Sequence, residues 1–372
     1  MGHECGPVED MVDTFWRGKR VFLTGHTGFK GSWLSLWLQS LVATVAGYAL
    51  DPPSTPNLFE AAQVGSQMES VLGDVCNLPA MRAAIADFKP EVVFHLAAQS
   101  LVRPSYQDPL GTYHTNVIGT ANLLECVRDC ASVRALVVVT SDKCYENRGS
   151  PHPYRETDPL GGYDPYSSSK ACAELVVSAY RSSFFPVERY LEHHVAIASA
   201  RAGNVIGGGD WAQDRLIPDI MRGFSSARSV PIRNPHATRP WQHVLEPLRG
   251  YLCLAQGLFQ DGTKFSGAWN FGPQEGDAKP VQWIIKRLAE QWGTGARWEI
   301  DKGQHPHEAN MLQLDWSKAA QELGWQPVLS LAEALDMTLS WYREFLAGKN
   351  SRKKCLEQIA EYTAKAAQPS AR

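Results

Sequence analysis

The stretch Arg20-Val-Phe-Leu-Thr-Gly-His-Thr-Gly-Phe-Lys-Gly31 decides the fold of this chain. A β-branched and aromatic run, Arg20 to Thr24, turns on Gly25, Gly28 and Gly31. It then enters Ser32 to Leu41, where Leu34, Leu38 and Leu41 recur at helical spacing with Trp33 and Trp37 beside them. Glycines at such a strand-to-helix turn let the main chain approach a pyrophosphate, which rests on the unpaired N–H groups of the helix N-terminus. Three glycines alone are often only a tight turn. Here Val45 to Leu50 predicts a second strand closed by Asp51, twenty residues past Gly31, where a carboxylate can meet a ribose 2′-hydroxyl. The expected dinucleotide cradle is Gly25, His26, Thr27, Gly28, Phe29, Lys30 and Gly31, with Asp51 on the ribose. No Arg or Lys adjoins Asp51 to hold a 2′-phosphate, so NAD is expected over NADP.

Working outward, further strands are predicted at 71–75, 92–97, 135–140 and 195–200, with helices between them. The run 109–130 carries Leu110, Tyr113, Val117, Ala121, Leu124 and Val127 on one face. Strands alternating with helices of this length predict an α/β fold: a doubly wound, mostly parallel Rossmann sheet with helices on both faces. Asp74 and Val75, then Leu96, Ala97, Ala98 and Gln99, end strands where the adenine and nicotinamide halves would lie. Beyond about residue 205, glycine and Pro231, Pro235, Pro240 and Pro247 break the pattern, which predicts a smaller C-terminal α/β substrate-binding domain. The expected division is an extension 1–16, a dinucleotide-binding domain 17–204 to which some later segments return, a mainly substrate-binding part 205–347, and a charged tail 348–372. The tail reads as a solvated helix with a frayed end.

Composition narrows the function. With 36 Lys+Arg against 39 Asp+Glu there is no basic footprint for nucleic acid. No apolar run approaches the ~18 residues of a membrane helix. The acidic first residues lack the apolar core of a secretory signal, and Gly6 breaks a myristoylation pattern. The eight cysteines form no CxxC pair, so a reducing cytoplasm is the expected compartment. His243, His305 and His307 lack ligand spacing, and no metal site is expected. Twelve tryptophans serve either a large core or aromatic walls around a ligand.

Tyr166-Ser-Ser-Ser-Lys170 places Tyr and Lys at i, i+4 on one helical face. An ammonium beside a phenol favours the phenolate and draws its pKa down from ~10, so the tyrosine can take a proton from a substrate hydroxyl. YxxxK alone is usually a surface pair; after a glycine loop and five strands it points to hydride chemistry.

Taken together, the segments TGHTGFKG (24–31), HLAAQS (95–100), Thr115-Asn116, TSDKCYEN (140–147) and YDPYSSSK (163–170) resemble the extended short-chain dehydrogenase/reductases, and among them the nucleotide-sugar 4,6-dehydratases. The resemblance spans roughly 17–342. The downstream 201–219 and 233–248 look most like the group acting on CDP-glucose. The resemblance implies an NAD-dependent hydro-lyase of deoxysugar biosynthesis: C4 of the hexose is oxidised, water leaves across C5–C6, and the hydride returns to C6. It implies Ser141 as hydrogen-bond partner of the C4 oxygen, Asp142 as acid for the C6 hydroxyl, and Lys143 where relatives acting on dTDP-glucose carry a glutamate base. For Lys143 two roles stay open: a neutral base for the C5 proton, or an ammonium stabilising the enolate. Thr115 and Ala202 are implied on the cofactor, with Tyr166 and Lys170. Ser100, Arg103, Asn204, Arg215, Leu216 and Arg239 are implied on the sugar and diphosphate. Relatives dimerise through the helices equivalent to 109–130 and 164–184, so a homodimer or dimer of dimers is expected, although the same faces would be core in a monomer. The rival readings are a nucleotide-sugar 4-epimerase, which needs no acid–base pair at 142–143, and a non-catalytic dinucleotide sensor, which would have lost YxxxK. Trp211 and Trp241 are expected at the pocket wall, Trp33 and Trp37 in the core.

Overall fold

The computed structural model describes residues 14–149, 152–301, 303 and 312–368. Strands β1 (Arg20–Thr24), β2 (Thr44–Ala49), β3 (Glu69–Leu72), β4 (Val92–His95), β5 (Ala135–Val139), β6 (Ala196–Arg201) and β7 (Gly267–Asn270) form one sheet in the order β7-β6-β5-β4-β1-β2-β3. Every pairing in it is parallel. A parallel sheet must be covered on both faces, and β1 shows how its alternation does this. Val21 and Leu23 enter one apolar cluster with Trp33 and Leu34 of helix α1 (Phe29–Ser40). Phe22 enters the opposite cluster with Phe88 of α2 (Leu78–Phe88) and with Leu123 and Val127 of α3 (Gly119–Arg128). The chain runs β1 to β3 in one direction, then crosses back to place β4 on the other side of β1. The crevice at the carboxyl ends of β1 and β4 is therefore a topological switch point, where ligands of such sheets bind.

The predicted helix 109–130 is realised as Pro109–Tyr113, a π turn His114–Ile118, and α3. A π turn inside a helix often marks a functional position, and this one carries Thr115 and Asn116. The YxxxK segment lies on α4 (Pro165–Ser183), capped by Asp164, whose side chain accepts from the Ser167 N–H.

After residue 205 short ribbons take over: 205–206 with 242–243, 238–240 with 278–280, and 229–232 with 297–300. Helix α5 (Leu216–Ser225) packs beside them. The later segments that return to the sheet are α6 (Leu245–Gln260), lying across β5 and β6, and β7 at the sheet edge. Two boundaries need correction. Trp16 is fully buried and packs near Phe94, at 6.1 Å between rings, so the sheet lobe already includes residue 16. The tail is not a solvated helix. Helix α8 (Ser351–Ala366) docks on α1 and on α7 (Leu331–Leu346), burying Cys355, Ile359 and Tyr362. The Tyr362 hydroxyl donates to Glu246 at 2.7 Å, and Arg352 donates to Gln39 at 2.8 Å. Three apolar residues at helical spacing suffice for docking even where the segment's average composition is charged.

Candidate active site

At the switch point lies a cavity of about 1120 Å³. Its cofactor end is built by the glycine turn. Gly25 holds φ +79°, and a Cβ there would come within 2.7 Å of the Ala97 nitrogen. A Cβ on Gly31 would lie 2.1 Å from the Gly25 carbonyl oxygen, so only glycines let β1, β4 and α1 converge. Gly28 caps α1 without a side-chain bond, leaving first-turn N–H groups at the cavity wall. Thr27 donates to the Leu50 carbonyl at 2.8 Å, tying the turn to the strand end that carries exposed Asp51. Asp74 and Val75, Leu96 to Gln99, Thr115 and Ala202 line the same space. This glycine cradle, uncapped helix start and rim carboxylate suit a dinucleotide.

His26 is the exception among the expected cradle residues. Its ring is buried under Gly47 with Nε2 2.7 Å from the Ser70 hydroxyl, and burial lowers its pKa to about 4. Only its main chain belongs to the turn. The Gln99 side chain is also spent on the loop, bonding Leu101 and Thr112. Asn116 clamps the Gln99 main chain at both its N–H and its carbonyl (2.9 Å each) and donates to Ser169 of α4 at 2.8 Å.

The residues expected to react, Ser141, Asp142, Lys143, Tyr166 and Lys170, all line the cavity. Ser141 donates to Asp142 Oδ1 at 2.8 Å, and Asn204, in the left-handed region at φ +50°, turns its amide to Oδ2 at 3.5 Å. Gly203 must lack a side chain there, because a Cβ would sit 2.1 Å from the Asp142 carboxyl. Half-buried Lys143 lines the cavity beside them. The Tyr166 phenol is pushed up to about 12, first by burial and then by Asp142; Ser141 and Arg215 pull the other way. That differs from the expected depression by Lys170. The lysine amine instead donates to the Val139 carbonyl at 3.3 Å, and burial lowers it to about 8. The second cavity amine drawn toward neutrality is Lys30, at about 7, through burial and the nearby charges of Arg215 and Lys170.

At the far end Arg215 bridges Asp210 (3.0 Å) and Ser100 (3.1 Å), and Leu216 follows it into the wall. Asp210 keeps that guanidinium charged although burial opposes it. Arg103 meets Asp214 at 3.0 Å, and Arg233 meets the same oxygen at 3.3 Å. Arg239 lines the cavity from the ribbon opposite Lys279. Asp210, Asp214 and Arg233 were missed by the sequence reading, although each lies inside a segment that carried the resemblance. Trp211 and Trp241 wall the cavity, whereas Trp33 and Trp37 are core. His243 is buried in the interior, and His305 and His307 lie outside the described residues. Among the described residues no cluster of three or more His, Cys, Asp or Glu is arranged to hold a metal, and no helix is long and apolar enough to cross a membrane.

Known proteins resemble this chain over almost its whole length. The CDP-glucose 4,6-dehydratase of Salmonella typhimurium is 54% identical over 353 residues, 95% of this chain and 98% of that protein. Among solved structures, an epimerase of Methanothermobacter thermautotrophicus superposes with a TM-score of 0.78 at 23% identity, over 92% of this chain and 97% of that one. The UDP-glucose-4-epimerase of Stenotrophomonas maltophila, solved with bound NAD and formylated UDP-arabinopyranose, gives 0.76 at 23%, over 89% and 99%. These two speak for the fold alone. Residues 22–338 match the family model described as GDP-mannose 4,6 dehydratase, and with sheet, glycine turn and Tyr166–Lys170 helix in place, this chain belongs to that family.

Proposed function

We propose that the chain converts CDP-glucose to CDP-4-keto-6-deoxyglucose with a resident NAD. The observation that carries this reading is the identity to the Salmonella CDP-glucose 4,6-dehydratase, which includes nearly all of both chains. The site chemistry agrees with it. An epimerase needs Tyr166 and a hydroxyl partner, but it has no use for a carboxyl and an amine side by side at 142 and 143.

NAD, when bound against the glycine turn, supplies the acceptor and later the donor of one hydride. The residues of the chain do the rest. Tyr166 takes the proton of the C4 hydroxyl while Ser141 holds the C4 oxygen. The resulting C4 ketone acidifies the C5 proton. A cavity amine removes that proton, and Asp142 donates one to the C6 hydroxyl, which leaves as water; the same amine gives a proton back to C5 as the hydride is returned to C6. Arg215, Arg239 and Arg103, with Asn204, take the diphosphate, since planar guanidinium groups pair with phosphate oxygens. In this reading the cavity-lining residues between Val205 and Trp241 take the substrate side.

Purified protein given NAD and CDP-glucose without reductant should produce a base-labile 4-keto product. Formation of CDP-galactose instead would mean an epimerase, and no turnover would mean a sensor. Running dTDP-, UDP- and GDP-glucose in parallel tests the base preference; a faster dTDP or GDP reaction would overturn the cytidine assignment.

Lys143 is the C5 base in this reading, and the lowered amine of Lys30 is its rival. In D₂O, Lys143→Met should lose deuterium entry at C5 by about a hundredfold or more, the range of a lost general base. Undiminished entry in that variant with loss in Lys30→Met would transfer the role to Lys30.

A second copy is proposed to cover the outer faces of α3 and α4 and their flanks, where Leu110, Ile118, Leu175 and Phe184 are exposed, Leu110 by 80%. Sedimentation at the monomer mass would refute it. The free cysteines among the described residues suit a reducing cytoplasm.

A further inference from the structure

Beneath the cavity floor lies a buried ion pair that the reaction as described does not use. Glu174 and Arg201 are each 3% exposed. Four donors surround the carboxylate: Thr140 Oγ1 at 2.5 Å and Arg201 Nε at 3.0 Å on one oxygen, Ser199 Oγ at 2.7 Å and Arg201 Nη2 at 2.8 Å on the other. Arg201 Nη1 goes on to donate to the Tyr145 hydroxyl at 2.7 Å and to the Glu156 carbonyl at 3.3 Å.

The attachment points carry the argument. Thr140 directly precedes Ser141 and Asp142. Glu174 stands one helical turn beyond Lys170 on α4. Arg201 directly precedes Ala202 and, after it, Gly203 and Asn204, which wall the Asp142 carboxyl. Three backbone segments that deliver reacting groups are thus tied from below to one carboxylate. Stability is a weak reason for such a pair, because replacing a buried ion pair with well-packed apolar residues is often neutral or favourable.

We infer that Glu174 is a positioning residue of the active site: it holds the ends of β5 and β6 and the YxxxK helix in one register and sets a fixed negative charge one turn from Lys170. The inference rests on the reading that a protonated Lys170 supports Tyr166 in turnover. Burial drives the Lys170 amine down to about 8, and Glu174 is the largest influence holding it up, with the Cys144 thiol acting the same way. The other titratable groups near that amine are Tyr166 on its own helix, Lys30 on α1 and His95 on β4. Without the Glu174 carboxylate, Lys170 loses its proton at lower pH.

Glu174→Gln alone strands a buried guanidinium, so the pair is neutralised together as Glu174→Gln with Arg201→Met. The direct readout is the titration of Lys170 by NMR in protein labelled with ¹³Cε-lysine, assigned by the loss of its signal in Lys170→Met. The Lys170 midpoint should fall by about one pH unit or more, the usual effect of one nearby opposite charge. The alkaline limb of kcat should fall with it while KM holds. Glu174→Asp keeps the charge and should keep the midpoint. A folded double variant with an unmoved midpoint overturns the electrostatic half. Thr140→Val cuts only the bond from β5 to the carboxylate; it should lower kcat about tenfold with the alkaline limb in place, as a small misplacement of reacting groups does. Unchanged kcat in that variant overturns the positioning half. The titration needs no turnover, so it judges Glu174 even where CDP-glucose proves not to be the substrate.

Discussion

Tyr166→Phe is expected to lower kcat for CDP-glucose by about a thousandfold or more while KM moves by less than about threefold, because the hydroxyl acts on a proton in flight and adds little to ground-state binding. The ring stays, so its buried packing on α4 is kept and the loss reports chemistry rather than unfolding. The phenol stands at about 12, raised by burial and by Asp142, and Ser141 and Arg215 are what oppose that rise. Removing the Ser141 hydroxyl should therefore hurt the same step, since it opposes the rise of the Tyr166 phenol and bonds Asp142. Steady-state rates at neutral pH decide the matter. A loss under tenfold in Tyr166→Phe would take the proton transfer away from this residue.

The second large effect comes from a residue with no side chain. Gly203→Ala should reduce formation of the 4-keto-6-deoxy product by about a hundredfold, the penalty typical of moving a reacting group by an ångström. The added Cβ would lie 2.1 Å from both Cγ and Oδ2 of Asp142 and 2.3 Å from Oδ1. The carboxyl cannot stay between Ser141 and Asn204 under that pressure. The change strikes the acid of the elimination more than the oxidation at C4. A 4-keto hexose that still carries its C6 hydroxyl should form to no more than one equivalent per active site, with the resident cofactor left reduced, visible by NMR of the sugar and by absorbance of the reduced nicotinamide, with thermal stability close to that of the unchanged protein. Asp142→Asn should give the same result without any steric push. Wild-type product ratios in both variants would remove Asp142 from the role of acid.

Particular residues show what could be read before folding. The glycine turn, Ser141-Asp142-Lys143 and Tyr166-Lys170 are short contiguous patterns, each set on one strand end or one helical face. Spacing in the chain therefore maps directly onto spacing in space. The triangle of Arg103, Asp214 and Arg233 is different: its first two members are 111 residues apart, and only the return of the 205–243 segment over the sheet brings them together. His26 misled for a related reason. A residue within the turn contributes its main chain to the cavity, while its ring follows the local backbone into the apolar space beneath Gly47. The tail misled because an average over a charged segment hides the three apolar positions of α8 that dock it.

By itself, then, the sequence determined the α/β alternation and the glycine turn between strand and helix, and it set the candidate reacting residues on one strand end and one helical face, because periodicity and short-range spacing are properties of a local backbone. Only the tertiary structure decided the charge state and support of those groups. Burial raises Tyr166 to about 12 and lowers Lys170 to about 8, and the carboxylate that steadies the lysine is itself held by Arg201 from another strand. Desolvation and long-range pairing depend on what surrounds a side chain in space, and that is fixed only when the sheet, its helices and the returning C-terminal segments close around the cavity.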